Sequence, residues 1–186
     1  MEDVILTGPK HSGKTSAGKA LALLYPGVFI DIDEMILQKT GKSPRELYGE
    51  GKDVFQKAEA ETVTTLFNLN RNDNSSSCCA GQQRRIIAAG GGIIDNQEAV
   101  AAIKNSGAKI VCLNIGVNPA WQRIYGFGSK ELPPFLQTEN PRETHRVLHE
   151  RRSAAYLALA DIIIEAENKT PEEIAEEILN SIISKA

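Results

Sequence analysis

The sequence predicts a doubly wound α/β fold, a five-stranded parallel sheet with helices on both faces. Three observations carry this. Five short runs rich in β-branched residues recur along the chain, each apolar throughout instead of alternating, as strands covered on both faces are. Helical segments separate the runs, and four of those segments open on a capping residue followed by proline. A glycine-rich turn follows the first run and leads into a helix, which puts backbone amides at the carboxyl edge of such a sheet.

The first run is Val4-Ile5-Leu6, and it enters Gly8-Pro9-Lys10-His11-Ser12-Gly13-Lys14-Thr15, a match to G-x-x-x-x-G-K-[ST] at every fixed position. Beyond it Ala17, Ala20, Leu21 and Leu24 fall at helical spacing. Glycines let N–H groups curl around an anion, the helix N-terminus adds a favourable dipole, and lysine neutralises phosphate oxygens. We therefore read Gly8, His11, Ser12, Gly13, Lys14, Thr15 and Ser16 as the cradle of a nucleotide. Lys14 would act on the β/γ oxygens and the Thr15 hydroxyl would hold Mg²⁺.

The second run, Val28-Phe29-Ile30, ends in Asp31-Ile32-Asp33-Glu34, acids at the edge where open α/β sheets bind ligands. Asp31 could anchor a water on Mg²⁺, and Asp33 could take the proton of an attacking hydroxyl; the other reading is that these acids cap the next helix. Ser43-Pro44 opens a further helix, with Glu46 placed to close a capping box. In the helix after that, Phe55, Ala58, Glu59, Thr62, Val63, Leu66 and Phe67 form one stripe, so Glu59 faces inward and needs a partner. That partner is either a buried arginine or an arginine gripping substrate. Residues 71–83 are polar without periodicity, and are expected to form an exposed, mobile loop.

The third run, Ile86-Ile87-Ala88, is followed by Gly90-Gly91-Gly92, which suggests close approach to the backbone by a group such as a small carboxylate, or else a flexible turn. After the fourth run, Ile110-Val111-Cys112-Leu113, Asn118-Pro119 opens a helix in which Trp121 is read as core. The stretch 126–140, with Gly126, Gly128, Pro133 and Pro134, exceeds what a connection needs and is a candidate lid. Asn140-Pro141 and Thr170-Pro171 open the last two helices, with Glu143 and Glu173 placed to close capping boxes. Between them lies the fifth run, Ile162-Ile163-Ile164. Leu148, Arg152 and Tyr156 share a helix face while Arg151 points elsewhere. An inward guanidinium meets an anion, here either an internal carboxylate such as Glu59 or a substrate carboxylate. His145 and His149 are read as structural or exposed.

With 186 residues the chain suits one domain spanning 1–186. Its net charge of −3 and scattered basic residues argue against a nucleic-acid partner. No run approaches the roughly 18 apolar residues of a membrane span, and the N-terminus lacks the pattern of a secretion signal, so a cytoplasmic location is expected. Cys78, Cys79 and Cys112 have no metal-ligand spacing. A small-molecule substrate and a monomer are the expected partner and state.

In the order of these motifs the chain resembles the shikimate kinase family across nearly its whole length: a P-loop, Asp-x-Asp after strand two, Gly-Gly-Gly after strand three, a lid, and an arginine four residues before a tyrosine. The resemblance implies a P-loop kinase fold and phosphorylation of a shikimate hydroxyl by ATP with Mg²⁺. It further implies Asp31 near the metal, Asp33 at the reacting hydroxyl, Gly91 and Gly92 along the substrate, and Arg152 on its carboxylate. Adenine would lie near Arg123 and the turn ending at Pro171. Ile36 to Glu50 is similar to the helix and turn that the family has after Asp-x-Asp. Two positions depart from the pattern. Beside Phe55 the family has a carboxylate-binding arginine, where this chain has Gln56 and then Lys57. In the lid a family arginine precedes proline, where this chain has Pro133-Pro134-Phe135, with Lys130 the nearest cation. The substrate-side candidates are thus Asp33, Gln56, Lys57, Glu59, Gly90, Gly91, Gly92 and Arg152. The departures keep two alternatives open, a kinase for another small hydroxy acid or polyol and a nucleotide-binding regulator with weakened catalysis.

Overall fold

The computed structural model describes residues 2–68, 84–126 and 132–184. Strands β1 (Val4–Thr7), β2 (Gly27–Asp31), β3 (Arg84–Ala88), β4 (Lys109–Asn114) and β5 (Ile162–Glu165) form a five-stranded sheet in the order β2-β3-β1-β4-β5. Every pairing is parallel. Each of the five apolar runs is a strand. Eight helices accompany them among the described residues: α1 (Lys14–Leu24), α2 (Ile32–Thr40), α3 (Pro44–Glu50), α4 (Lys52–Asn68), α5 (Gln97–Lys104), α6 (Val117–Gly126), α7 (Pro141–Leu159) and α8 (Pro171–Ser184).

The absence of alternation has a direct structural counterpart in β1, β3 and β4, whereas the edge strands β2 and β5 depart from the expectation: Val28 (42% exposed) and Ile163 (48%) stay open to solvent. Ile5, Ile87, Ile110 and Cys112 pack into one core layer with α2, α4 and α5, while Val4, Leu6, Ile86, Val111 and Leu113 pack into the other with α1 and α8. Because successive side chains point to opposite faces, a strand covered on both sides must be apolar at every position. Each large aliphatic buried in this way contributes on the order of 1.5–3 kcal/mol. In the sheet order β3 lies on one side of β1 and β4 on the other, so the winding reverses beside β1 and a crevice opens at its carboxyl end.

The capped starts are partly corrected. Ser43 and Glu46 form a complete capping box on α3, and Thr170 with Glu173 does the same ahead of α8. Asn140 caps α7 through Glu143 N–H at 3.3 Å, but the Glu143 carboxylate turns to Arg146 instead of closing the box. A guanidinium one turn on competes successfully for that acid. Asn118 does not cap α6, which begins at Val117; the first helical bond runs from Ala120 N–H to Gly116 O, and Pro119 sits within the first turn. The loop expected at 71–83 lies outside the described residues, as do 127–131 of the candidate lid. The remainder of that stretch forms a 3-10 turn, Pro134–Leu136, anchored by the fully buried Leu136. No described helix is long and apolar enough to cross a membrane.

Candidate active site

A cavity of about 1320 Å³ occupies the crevice at the carboxyl edge of the sheet. Its floor is the turn between β1 and α1. Gly8 there has φ +132°, and a Cβ on it would stand 2.5 Å from the Leu113 carbonyl oxygen, so both its torsion and its surroundings demand glycine. Lys14 is buried and donates to the carbonyls of Gly8 (3.0 Å) and Pro9 (2.7 Å) and to Ser12 Oγ (3.4 Å). Burial lowers its pKa to about 8, with Asp33 opposing the shift, so at neutral pH it is predominantly an ammonium. His11, in the same loop, is held neutral to a pKa of about 4, by burial first and then by Lys10 and Lys14. Ser12, Gly13, Thr15 and Ser16 complete the cavity wall at the N-terminus of α1.

Thr15 Oγ donates to Asp31 Oδ2 at 2.9 Å, and Asp31 Oδ1 accepts from Asp33 N–H at 2.9 Å. Asp31 therefore caps α2 with one oxygen and accepts from Thr15 with the other. Asp33 is solvent-accessible, but the surface it offers is cavity wall. The surrounding protein raises its pKa, the Asp31 carboxylate adds to this, and Lys10 and Lys14 oppose it.

Across the cavity the arginine partner is not the expected one. Arg152 is bound by Asp95, Nη2 at 2.7 Å and Nε at 3.0 Å to Oδ2, and it also donates to Gly91 O at 3.3 Å. Arg151, predicted to point away, reaches the same carboxylate at 2.9 Å. Glu59 does not meet an arginine. Its Oε2 accepts from Asn96 Nδ2 at 2.9 Å, its Oε1 is buried without a hydrogen-bond partner, and desolvation raises its pKa to about 7. Gln56 donates to the Asp95 carbonyl at 3.0 Å. Lys57 is exposed and is not part of the cavity wall. Lys130 lies outside the described residues.

The three glycines line the cavity, and their close neighbours are protein atoms. A Cβ on Gly91 would stand 2.8 Å from the backbone N and Cα of Lys10; one on Gly90 would meet Asp33 Oδ1 at 3.2 Å and Glu59 Oε1 at 3.3 Å; one on Gly92 would lie 3.5 Å from Arg152 Nη2. At the opposite end Arg123 donates to His11 O at 3.1 Å and Ala166 O at 3.4 Å, and with Lys169, Pro171 and Ile174 it forms the far wall.

Sequence reasoning missed Asp95, Asn96, Lys10, Arg45 and the role of Phe135 as wall. Asp95 and Asn96 carried a legible signal, two polar residues just past a glycine run at a strand end. Lys10 and Arg45 had none, because only packing aims them inward.

A family model described as shikimate kinase matches residues 10–183, nearly the whole chain. The chain belongs to the shikimate kinase family. The shikimate kinase of Thermodesulfovibrio yellowstonii is 32% identical over 180 residues, covering 96% of this chain and 94% of that relative. The solved shikimate kinase from Acinetobacter baumannii in complex with shikimate superposes with a TM-score of 0.83 at 28% identity, over 100% of this chain and 94% of that one. The shikimate kinase of Aquifex aeolicus gives a TM-score of 0.76 at 27% identity over 98% and 97% of the two chains. The P-loop kinase fold expected from the motifs is thereby established for this member of the shikimate kinase family.

Proposed function

We propose that this protein transfers the γ-phosphate of ATP to a hydroxyl of shikimate. The observation that carries the reading is a single cavity running from the phosphate loop, past Asp33, to the Asp95-held Arg152. It offers a triphosphate cradle at one end and a cation for a small carboxylate at the other.

The pairing of a hydroxyl with a carboxylate at Thr15 and Asp31 supplies hard oxygen donors of the kind Mg²⁺ takes, and these residues fit that ion. Mg²⁺, when bound, would neutralise charge on the phosphate oxygens. The remaining steps belong to the chain itself. Lys14, held beside the loop carbonyls, swings its ammonium onto the β/γ oxygens. Amides at the start of α1 bind the phosphates. Asp33, whose charge acts on both Lys10 and Lys14, accepts a hydrogen bond from the attacking hydroxyl and takes its proton. Its raised pKa brings it closer to the range in which a carboxylate works as a base. Arg152 takes the acceptor's carboxylate, oriented by Asp95, and Gly90, Gly91 and Gly92 leave room for the ring. Adenine lies between Arg123 and Pro171.

A coupled assay of ADP release with MgATP and shikimate tests this. Turnover with shikimate, lost in Asp33→Asn, is the expected result. Turnover only on a different hydroxy acid would move the acceptor, and ATP binding without transfer to any acid would favour a regulator.

A further inference from the structure

In the family pattern the residue after Phe55 is a carboxylate-binding arginine; here it is Gln56, whose amide is committed to the Asp95 carbonyl at 3.0 Å. Lys57 points to solvent. A different cation stands at the acceptor end. Lys10, inside the phosphate loop, has its backbone packed against Gly91, 2.8 Å from where a Cβ would be. Its Nζ lies 5.9 Å from the centre of the Phe135 ring, and Arg152 Cζ lies 5.6 Å from that same centre, so the two cations converge on one aromatic wall. The charges that act on Lys10 include Asp33, Arg45 and Arg152, which line the same cavity, as well as Lys14 beside it in the loop. Among the described residues its ammonium forms no ion pair, whereas Arg152 is already engaged by Asp95. Lys14, by contrast, is turned back onto the loop carbonyls of Gly8 and Pro9.

We propose that Lys10 is a specificity-determining residue for the acceptor: its ammonium takes one oxygen of the substrate carboxylate while Arg152 takes the other, replacing from the phosphate loop the cation that α4 lacks. Two cations flanking a carboxylate over an apolar ring select a small planar anion, and an uncharged polyol leaves both unsatisfied.

The inference rests on the proposed acceptor, and the test separates the two. Shikimate and ADP are titrated separately by calorimetry into wild type, Lys10→Ala and Lys10→Arg, with the methyl ester of shikimate as a neutral probe. The expected result is a loss of shikimate affinity in Lys10→Ala of about ten- to a hundredfold, the value of one charge-assisted hydrogen bond. Lys10→Arg restores most of it, ADP affinity changes less than about threefold, and the ester binds wild type and Lys10→Ala alike. Wild type that binds shikimate with an affinity Lys10→Ala retains would overturn the inference and leave the proposed function standing. Equal losses for ADP and shikimate would assign Lys10 to the phosphates and overturn it too. Wild type that does not bind shikimate at all overturns both.

Discussion

Asp95 holds Arg152 by two hydrogen bonds, 2.7 and 3.0 Å, and both groups are largely screened from solvent, with 13% and 16% of their side-chain surfaces exposed. Asp95 sits in the turn after the glycines and Arg152 on α7, so one carboxylate ties the two walls of the acceptor end together. It acts through the arginine, as a positioning residue. Asp95→Asn keeps the size and loses the charge. The expected outcome in steady-state kinetics is a KM for shikimate raised about tenfold, with kcat within about threefold of wild type, since one charge-assisted contact is loosened without touching the reacting atoms. A lowered KM would instead mean that Asp95 competes with the substrate for Arg152.

Asp33→Asn removes the proton acceptor while preserving the shape of the cavity. We expect kcat to fall by at least about 10² with ATP affinity unchanged. The raised pKa of Asp33 adds a pH signature. Protonation disables the base, so wild-type kcat declines as pH falls through that pKa, and the residual rate of the variant lacks this acid limb.

Glu59 is 1% exposed, with a pKa raised to about 7 from 4.5. Between these values the folded chain binds more protons than the unfolded chain, so stability is lost as pH rises through the window. Glu59→Gln removes the penalty and keeps an acceptor for Asn96. Thermal melts should show the variant more stable than wild type by about 1–3 kcal/mol at pH 8, the two converging at pH 5. Equal stability at both pH values would count against a carboxyl buried with one oxygen unpaired.

Trp121, the single tryptophan, has its ring 5.3 Å from that of His145, which in turn lies 5.4 Å from His149. Both histidines are buried, 6% exposed each, and burial is the main cause lowering both pKa values, that of His145 to about 4. The unfolded chain takes up protons below about 6.5 while the folded one resists, so this contribution to stability is present above that pH and fades toward pH 4. Tryptophan emission should be quenched with a midpoint near 4 as His145 charges beside it. His145→Phe should abolish that transition.

Gly91→Ala places a methyl 2.8 Å from the Lys10 backbone, a clash that no side-chain rotation relieves. The phosphate loop must shift. We expect a destabilisation of about 1–3 kcal/mol and weaker binding of both ADP and shikimate by calorimetry. Unchanged nucleotide affinity would show that the loop has room to yield.

The strands and the glycine-rich turn after β1 were legible because each rests on local rules. An apolar run without alternation is what burial on both faces requires, and G-x-x-x-x-G-K-[ST] between strand and helix is a local backbone geometry. The capping boxes on α3 and α8 were legible for the same reason, and the box on α7 failed because Arg146, one turn away, claimed Glu143. The acceptor end was read only in part. Arg152 was found, but its partner was sought in Glu59, since an inward acid and an inward arginine invite pairing.

The sequence by itself determined the class of fold, the glycine-rich turn after β1 and the two acids after β2, because each is signalled by residues close together in the chain. Only the tertiary structure decided that Asp95 and not Glu59 holds Arg152, that Gln56 is occupied by the turn after the glycines, and that the Lys10 backbone packs against Gly91. Those pairings join residues between 39 and 81 positions apart. Their choice is made by which side chains the packed helices bring within hydrogen-bond distance, and no periodicity or spacing along the chain encodes that.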